Sequence, residues 1–304
     1  MQIRLYESLR AVFYTPYYVA LQLGAHADEG LEIDLRRPDT SDRAASDLFE
    51  GKADVTWGGP MRMMQHMDLD PDPDRRLIAF GEAVTRDPFF VIGAKPKPDF
   101  RLGDLRDCRF ASVSEVPTPW MCLQEDLRRD GVDPGSLDRV ANGSMAENAD
   151  ALRRGEVDAI QVFEPFAETL IREGAGVIWR AGAARGPTSY TTYYAPIAYV
   201  RENREGLVRL TRALYRTQTW LHAAKTHAIA DLVQPYFPDL APEILAGAID
   251  RYRSLGVWGR NPRLPTIGFV RLKVSLLSGG FISRDVPYDA CVDSGIFEEA
   301  MAGA

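Results

Sequence analysis

Leu48-Phe49-Glu50-Gly51-Lys52-Ala53-Asp54-Val55-Thr56-Trp57-Gly58-Gly59-Pro60 and, further on, Leu152-Arg153-Arg154-Gly155-Glu156-Val157-Asp158-Ala159-Ile160-Gln161-Val162-Phe163-Glu164-Pro165 share one grammar. Each reads as a helix end, a glycine in the left-handed position past it, a short apolar strand and a turn that opens the next helix. Ligands bind at the carboxyl ends of strands in open α/β sheets. Two such units therefore predict two α/β lobes that present Trp57-Gly58-Gly59 and Phe163-Glu164-Pro165 to each other across a cleft. The competing reading is two ordinary helix–strand junctions with no cleft between them.

Working outward, Gln2–Glu7 reads as a first strand, Ser8–Pro16 as a loop and Tyr17–Leu23 as a helix. Gly30–Leu35 alternates with period two, as a strand does. Asp39–Asp42 offers an N-cap to a helix that ends at Glu50-Gly51. Leu77–Ala83 and Pro88–Gly93 read as successive strands, and Lys95–Asp99 as the crossover into a second lobe. That lobe takes strands at Arg109–Val113, near Val140, at Ala159–Val162 and at Val177–Trp179. Its helices are expected at Pro119–Arg129, Ser144–Arg154 and Glu164–Arg172, the second opened by the capping box Ser144-Met145-Ala146-Glu147. Gly182–Pro187 is the expected return, Thr191–Val200 a strand that rejoins the first lobe, and the rest is mainly helical. The alternation of strand and helix implies two largely parallel sheets. The expected division is residues 1–94 plus 188–304 as lobe one and 95–187 as lobe two, joined by a two-strand hinge suited to closure around a ligand.

Composition narrows the function. A chain of 304 residues, 45% hydrophobic, can bury a large core, and its net charge of -7 disfavours nucleic acid as a partner. No apolar run reaches the ~20 residues of a membrane span. Three cysteines and four scattered histidines show no metal-ligand spacing, so neither a metal nor a cofactor is expected. The N-terminus goes straight into a strand pattern, which leaves a cytoplasmic protein or a periplasmic one whose leader has been removed.

The chemistry-bearing residues gather at the strand ends. Trp57 offers a flat face, and Gly58 and Gly59 let backbone N–H groups approach a ligand, unless this is only a tight turn with a core Trp. Ser112–Pro119 precedes a helix, where Pro117 and Thr118 suit an anion, or where Thr118 only caps. Phe163 and Glu164 set an aromatic wall and a carboxylate, the latter alternatively a helix cap. Arg10, Phe13 and Tyr14 on the first loop, with Tyr190 and Tyr193 near the hinge, add aromatic and cationic groups. Arg10 and Arg62 are candidates to pair with a carboxylate bidentately. Met61, Met63, Met64 and Met67 read as core filling, Cys122 as a structural thiol, and His66 as a surface residue at a helix end.

Several of these motifs resemble one family. Tyr14-Thr15-Pro16-Tyr17-Tyr18-Val19-Ala20, Gly30–Leu35, Gly51-Lys52-Ala53-Asp54-Val55, Asp158-Ala159 with Glu164-Pro165, and Asn203–Thr226 are similar to successive signals of the substrate-binding proteins of nitrate, sulfonate and taurine ABC importers. The thiamine-pyrimidine synthases belong to the same family. The resemblance implies a two-lobed periplasmic-binding-protein type II fold with a cleft ligand, usually a small anion or flat heterocycle. It covers about the first 225 residues, and the last 80 match only loosely. The synthases' cysteine cluster is missing from Ser189–Tyr194, and their histidine falls near Arg62 here. The expected function is thus a solute-binding protein that closes on a small aromatic or heterocyclic ligand, anionic or not, for an ABC permease. The alternative is a cytoplasmic decarboxylase, desulfinase or pyrimidine-forming enzyme on the same fold.

Overall fold

Ten strands form two sheets of matching order. The structure, a computed structural model, describes residues 1–40 and 42–303. The strands are β1 (Gln2–Glu7), β2 (Glu32–Arg36), β3 (Val55–Gly58), β4 (Leu77–Val84), β5 (Phe90–Gly93), β6 (Arg109–Ala111), β7 (Asp138–Val140), β8 (Ala159–Val162), β9 (Val177–Ala181) and β10 (Thr191–Pro196). The first sheet runs β2-β1-β3-β10-β4 and the second β7-β6-β8-β5-β9. In each, three strands pair in parallel and a fourth is inserted antiparallel to its neighbours. The inserted strand arrives from the other lobe: β10 returns from the second, and β5 comes directly from β4 of the first.

The repeated units fold alike. Gly51 and Gly155 sit at φ +68° and +69°, past helices Ala44–Phe49 and Met145–Arg154, where a side chain would be strained. β3 and β8 then run fully buried to the turns that start helices Pro60–Leu69 and Phe166–Arg172. The capping box forms: Ser144 N–H donates to Glu147 Oε2 at 2.7 Å, and Glu147 N–H to Ser144 Oγ at 3.2 Å. The expected N-cap at Asp39–Asp42 includes Ser41, which lies outside the described residues.

The structure departs from expectation at the junctions. β5 pairs with β8 and β9, so the chain has left the first sheet by residue 90, ahead of the expected crossover at Lys95–Asp99. The crossing segments are 85–89 and 182–190, which run side by side: Thr188 N–H donates to Thr85 O at 2.8 Å, and Gly182 N–H to Phe89 O at 2.7 Å. A Cβ on Gly182 would stand 2.9 Å from that same carbonyl oxygen, so only glycine permits this approach. The expected strand Thr191–Val200 stops at Pro196, which opens helix Ile197–Glu202. The first helix starts at Thr15, not Tyr17, after a 3-10 turn at Val12–Tyr14.

The C-terminal helices straddle both sheets' layers rather than belonging to one lobe. Helix Thr266–Ser278 packs on helices Thr118–Arg129 and Pro60–Leu69, and helix Pro242–Ser254 packs on helix Phe166–Arg172. Buried polar contacts tie both flanks. On one side Arg185 donates to Asp126 at 3.1 Å and to Ser275 at 2.8 Å. On the other, Arg251 reaches Glu164 at 3.0 Å and Glu168 at 2.6 Å.

One buried carboxyl has no such partner. Glu82 on β4 is 1% exposed, its Oε1 lacks a hydrogen bond, and burial pushes its pKa up from 4.5 to about 8. The folded state therefore favours the protonated acid. That preference is fully present below pH 4.5 and is lost as pH rises through about 8. Glu82→Gln is expected to flatten the pH dependence of melting between about pH 4.5 and 8, stabilising the protein at the alkaline end by roughly 2–4 kcal/mol. Thermal melts of both proteins across that range check it.

Candidate functional site

A cleft opens where the strand ends of the two sheets face each other, with about 530 Å³ of empty space including its mouth. Two loops of the first lobe build one wall. Beyond β1 come Ser8, Leu9, Phe13 and Tyr14. This loop is pinned from behind: Arg10 donates to Glu7 Oε2 at 2.7 Å and to the Tyr236 carbonyl at 2.8 Å, while Trp258 Nε1 donates to Phe13 O at 2.8 Å. Beyond β3 come Gly59, Met61 and Arg62, in the first turn of helix Pro60–Leu69. Tyr194 on β10, with Tyr190 and Phe89 from the crossing segments, forms the floor, and Val116 and Thr118 of the second lobe close the far side. Helix Thr118–Arg129 also begins in the cleft, so two helix N-termini converge on one space.

Arg62 is the single charged side chain in this lining. Among the described residues its only side-chain hydrogen bond goes to Gln65 Oε1 at 3.1 Å and it makes no salt bridge, although the carboxylate of Asp42 is close enough to act on it electrostatically. Half-burial pushes its pKa down, although a guanidinium stays charged at any physiological pH. A half-buried cation with no direct ion pair gains from an anionic partner that reaches it. With a guanidinium, two helix N-termini, hydroxyls at Ser8, Tyr14 and Thr118, and aromatic faces around them, the cleft can hold a flat apolar body with an anionic end.

Of the residues expected at the site, Phe13, Tyr14, Gly59, Thr118 and Tyr190 line the cleft. Pro117 flanks it as the residue before helix Thr118–Arg129. Gly58 stands behind it, where a Cβ would lie 3.0 Å from Ser8 Oγ and 3.5 Å from the Tyr194 hydroxyl. The remainder lie elsewhere. Arg10 is committed to Glu7 and sits over the rings of Tyr18 and Tyr236. Trp57 is fully buried, stacked on Tyr17 at 4.8 Å, and Tyr193 packs beside that pair against Phe80. Phe163 forms a second layer, edge-on to Phe13 at 5.4 Å and Phe89 at 5.1 Å. Glu164 is buried against Arg251. The sequence reading assigned no site role to Ser8, Leu9, Met61 or Phe89, and it took in Val116 and Tyr194 only as parts of the stretches Ser112–Pro119 and Ser189–Tyr194 without choosing them. Alternation along β10 gave the only available signal: Tyr193 and Tyr194 must face opposite ways, but not which one meets the cleft. Phe89 depends on a crossover that sequence placed too late.

Trp57→Phe tests this placement of the tryptophan. It keeps a ring against Tyr17 and removes an indole N–H that is buried without a partner. Ligand affinity measured by calorimetry is expected to stay within about twofold of wild type, whereas Trp57→Ala costs about 3–5 kcal/mol of stability.

The three cysteines are all buried, and none lines the cleft. Burial pushes the Cys122 thiol up to about 12, despite Arg185 Nη1 at 3.1 Å from its sulfur.

Two α/β lobes with a cleft at their crossing define the two-lobed periplasmic-binding-protein type II fold. The chain belongs to the NMT1-like family, whose model matches residues 9–234. It is 25% identical over 304 residues to YtlA of Bacillus subtilis strain 168, provisionally described as a binding protein, covering 99% of this chain and 90% of YtlA. It is similar in structure to the periplasmic aliphatic sulphonate binding protein SsuA of Escherichia coli, with a TM-score of 0.77 at 13% identity, over 98% of this chain and 99% of that one. The desulfurization enzyme DszB superposes with a TM-score of 0.71 at 15% identity, over 100% of this chain and 99% of that one. The family model, YtlA and SsuA agree with the importer-protein resemblance carried by the motifs, and DszB is an enzyme of similar fold.

Proposed function

We propose that the protein captures a small ligand with a flat apolar body and one anionic group, and hands it to an ABC permease. Arg62 carries this reading: it is a half-buried guanidinium that makes no salt bridge among the described residues, in an otherwise aromatic and hydroxyl-lined cleft. The anionic group sits on Arg62 and the first turns of helices Pro60–Leu69 and Thr118–Arg129, and the body lies among Phe13, Tyr14, Phe89 and Tyr190. Binding-protein names among the relatives, the sulphonate-binding SsuA included, support the transport role. The lining also favours binding over chemistry, because hydroxyls, aromatic faces and a guanidinium hold an anion rather than attack one. The paired segments 85–89 and 182–190 are the hinge of lobe closure.

The test is native mass spectrometry of gently purified protein, followed by calorimetry with benzenesulfonate, benzoate and phenyltrimethylammonium. Binding of the two anions and rejection of the cation are expected, with a contraction of the small-angle scattering envelope on saturation. Preference for the cation would overturn the reading.

A further inference from the structure

A guanidinium at the end of a long, flexible side chain has many rotamers, and only some of them face a ligand. Two neighbours narrow the choice for Arg62. On the next helical turn, Gln65 Oε1 accepts from Arg62 Nη1 at 3.1 Å. The other neighbour comes from far along the chain: the guanidinium carbon lies over the Phe281 ring, 6.0 Å from its centroid. Arg62 lines the cleft and, among the described residues, Phe281 does not, so the ring backs the guanidinium from outside the ligand space.

The ring is itself held in place. Phe281 sits in the turn that ends helix Thr266–Ser278, where Gly280 takes φ +71° and Phe281 N–H donates to Leu276 O at 2.8 Å. The residues after it are tied to the helix that carries Arg62. Ser283 N–H donates to Asp68 Oδ2 at 2.9 Å, Ser283 Oγ to Asp68 Oδ1 at 3.0 Å, and Arg284 N–H to Asp68 Oδ1 at 2.9 Å. Asp68 is buried near the end of helix Pro60–Leu69, and Ile282, between ring and anchor, is buried as well. Ring and guanidinium therefore stand on one packed unit.

An aromatic face attracts a guanidinium through its quadrupole but carries no formal charge. It orients the cation and leaves the charge for a ligand. Arg10 shows the contrast: it too lies over aromatic rings, those of Tyr18 and Tyr236, but Glu7 neutralises it. Asp42 acts on Arg62 only through space. We infer that Phe281 is a positioning residue of the ligand site, which holds the Arg62 guanidinium at the cleft wall before a ligand arrives. This rests on the reading that Arg62 meets an anion. A guanidinium already in place does not have to be ordered on binding, a step that otherwise costs affinity. Phe281 lies beyond residues 9–234, so the family match does not supply this role.

The experiment measures benzenesulfonate affinity by calorimetry for wild type, Phe281→Leu and Phe281→Tyr, with Arg62→Ala as the reference. Phe281→Leu keeps apolar bulk and removes the aromatic face, and its expected affinity is about fivefold weaker. Phe281→Tyr keeps the face and is expected to restore affinity to within about twofold of wild type. If Arg62→Ala binds poorly, then wild-type affinity in Phe281→Leu, or an equal loss in both Phe281 variants, would overturn the inference. A second measurement needs no ligand: urea unfolding of wild type, Arg62→Ala, Phe281→Leu and the two combined. The unfolding constant of the combination is expected to differ roughly two- to fivefold from the product of the single effects. Strictly multiplicative effects would overturn the inference too. Should benzenesulfonate fail to bind wild type, or bind Arg62→Ala equally well, the anion reading falls, and this coupling alone decides whether Phe281 holds Arg62.

Discussion

Arg62→Ala is expected to weaken benzenesulfonate binding on the order of 100-fold, the equivalent of about 3 kcal/mol. The loss comes from the only cation in the cleft lining, and no other residue there can replace its charge. Arg62→Lys keeps the charge but not the planar fork, and should recover about half of that free energy. Stability should move little in Arg62→Ala, because the cation is half-buried and, among the described residues, is held by one hydrogen bond to Gln65 and no salt bridge. Calorimetry and thermal melts together separate this outcome from general damage, which would lower both. Unchanged sulfonate affinity in Arg62→Ala would remove the anion reading.

Arg251→Ala acts on stability instead. Glu164 is wholly buried and Glu168 nearly so, and Arg251 is the guanidinium that meets both. Removing it strands a carboxylate between the second lobe and helix Pro242–Ser254, at an expected loss of about 3–5 kcal/mol. The pH dependence gives a sharper check. Burial raises Glu164 from 4.5 to about 7, even though Arg251 pulls it down. Loss of Arg251 moves it higher still, so the variant's folded state holds the proton more strongly than the wild type's does. The deficit should therefore be largest at pH 8 and shrink as pH falls below about 7. Denaturant titration of both proteins at pH 5.5 and pH 8 measures it. Combining Glu164→Gln with Arg251→Met should restore most of the loss, because no buried charge is left unanswered. A deficit independent of pH would mean that Arg251 acts through packing alone.

How much could be read ahead follows from the range of each interaction. The left-handed glycines at 51 and 155, the capping box at Ser144 and the long C-terminal helices were legible, because each is written within a few residues. Arg10 and Arg62 looked alike in sequence, each an arginine just beyond a strand near aromatic residues. Glu7 and the Tyr236 carbonyl engage the first, and no salt bridge among the described residues engages the second; Tyr236 lies 226 positions from Arg10. Trp57 looked like a ligand platform, but Tyr17 took its face.

Local periodicity, glycine placement and motif order therefore determined the family, the two α/β lobes and the strand ends between which the cleft lies. Only the tertiary structure decided which side of β10 faces the cleft, and that helices Thr266–Ser278 and Pro242–Ser254 pack on helices of both flanks. The reason is that a side chain's pairing depends on partners distant in the chain. Residue identity sets what a group can do, and the packed neighbours set whether it is free to do it.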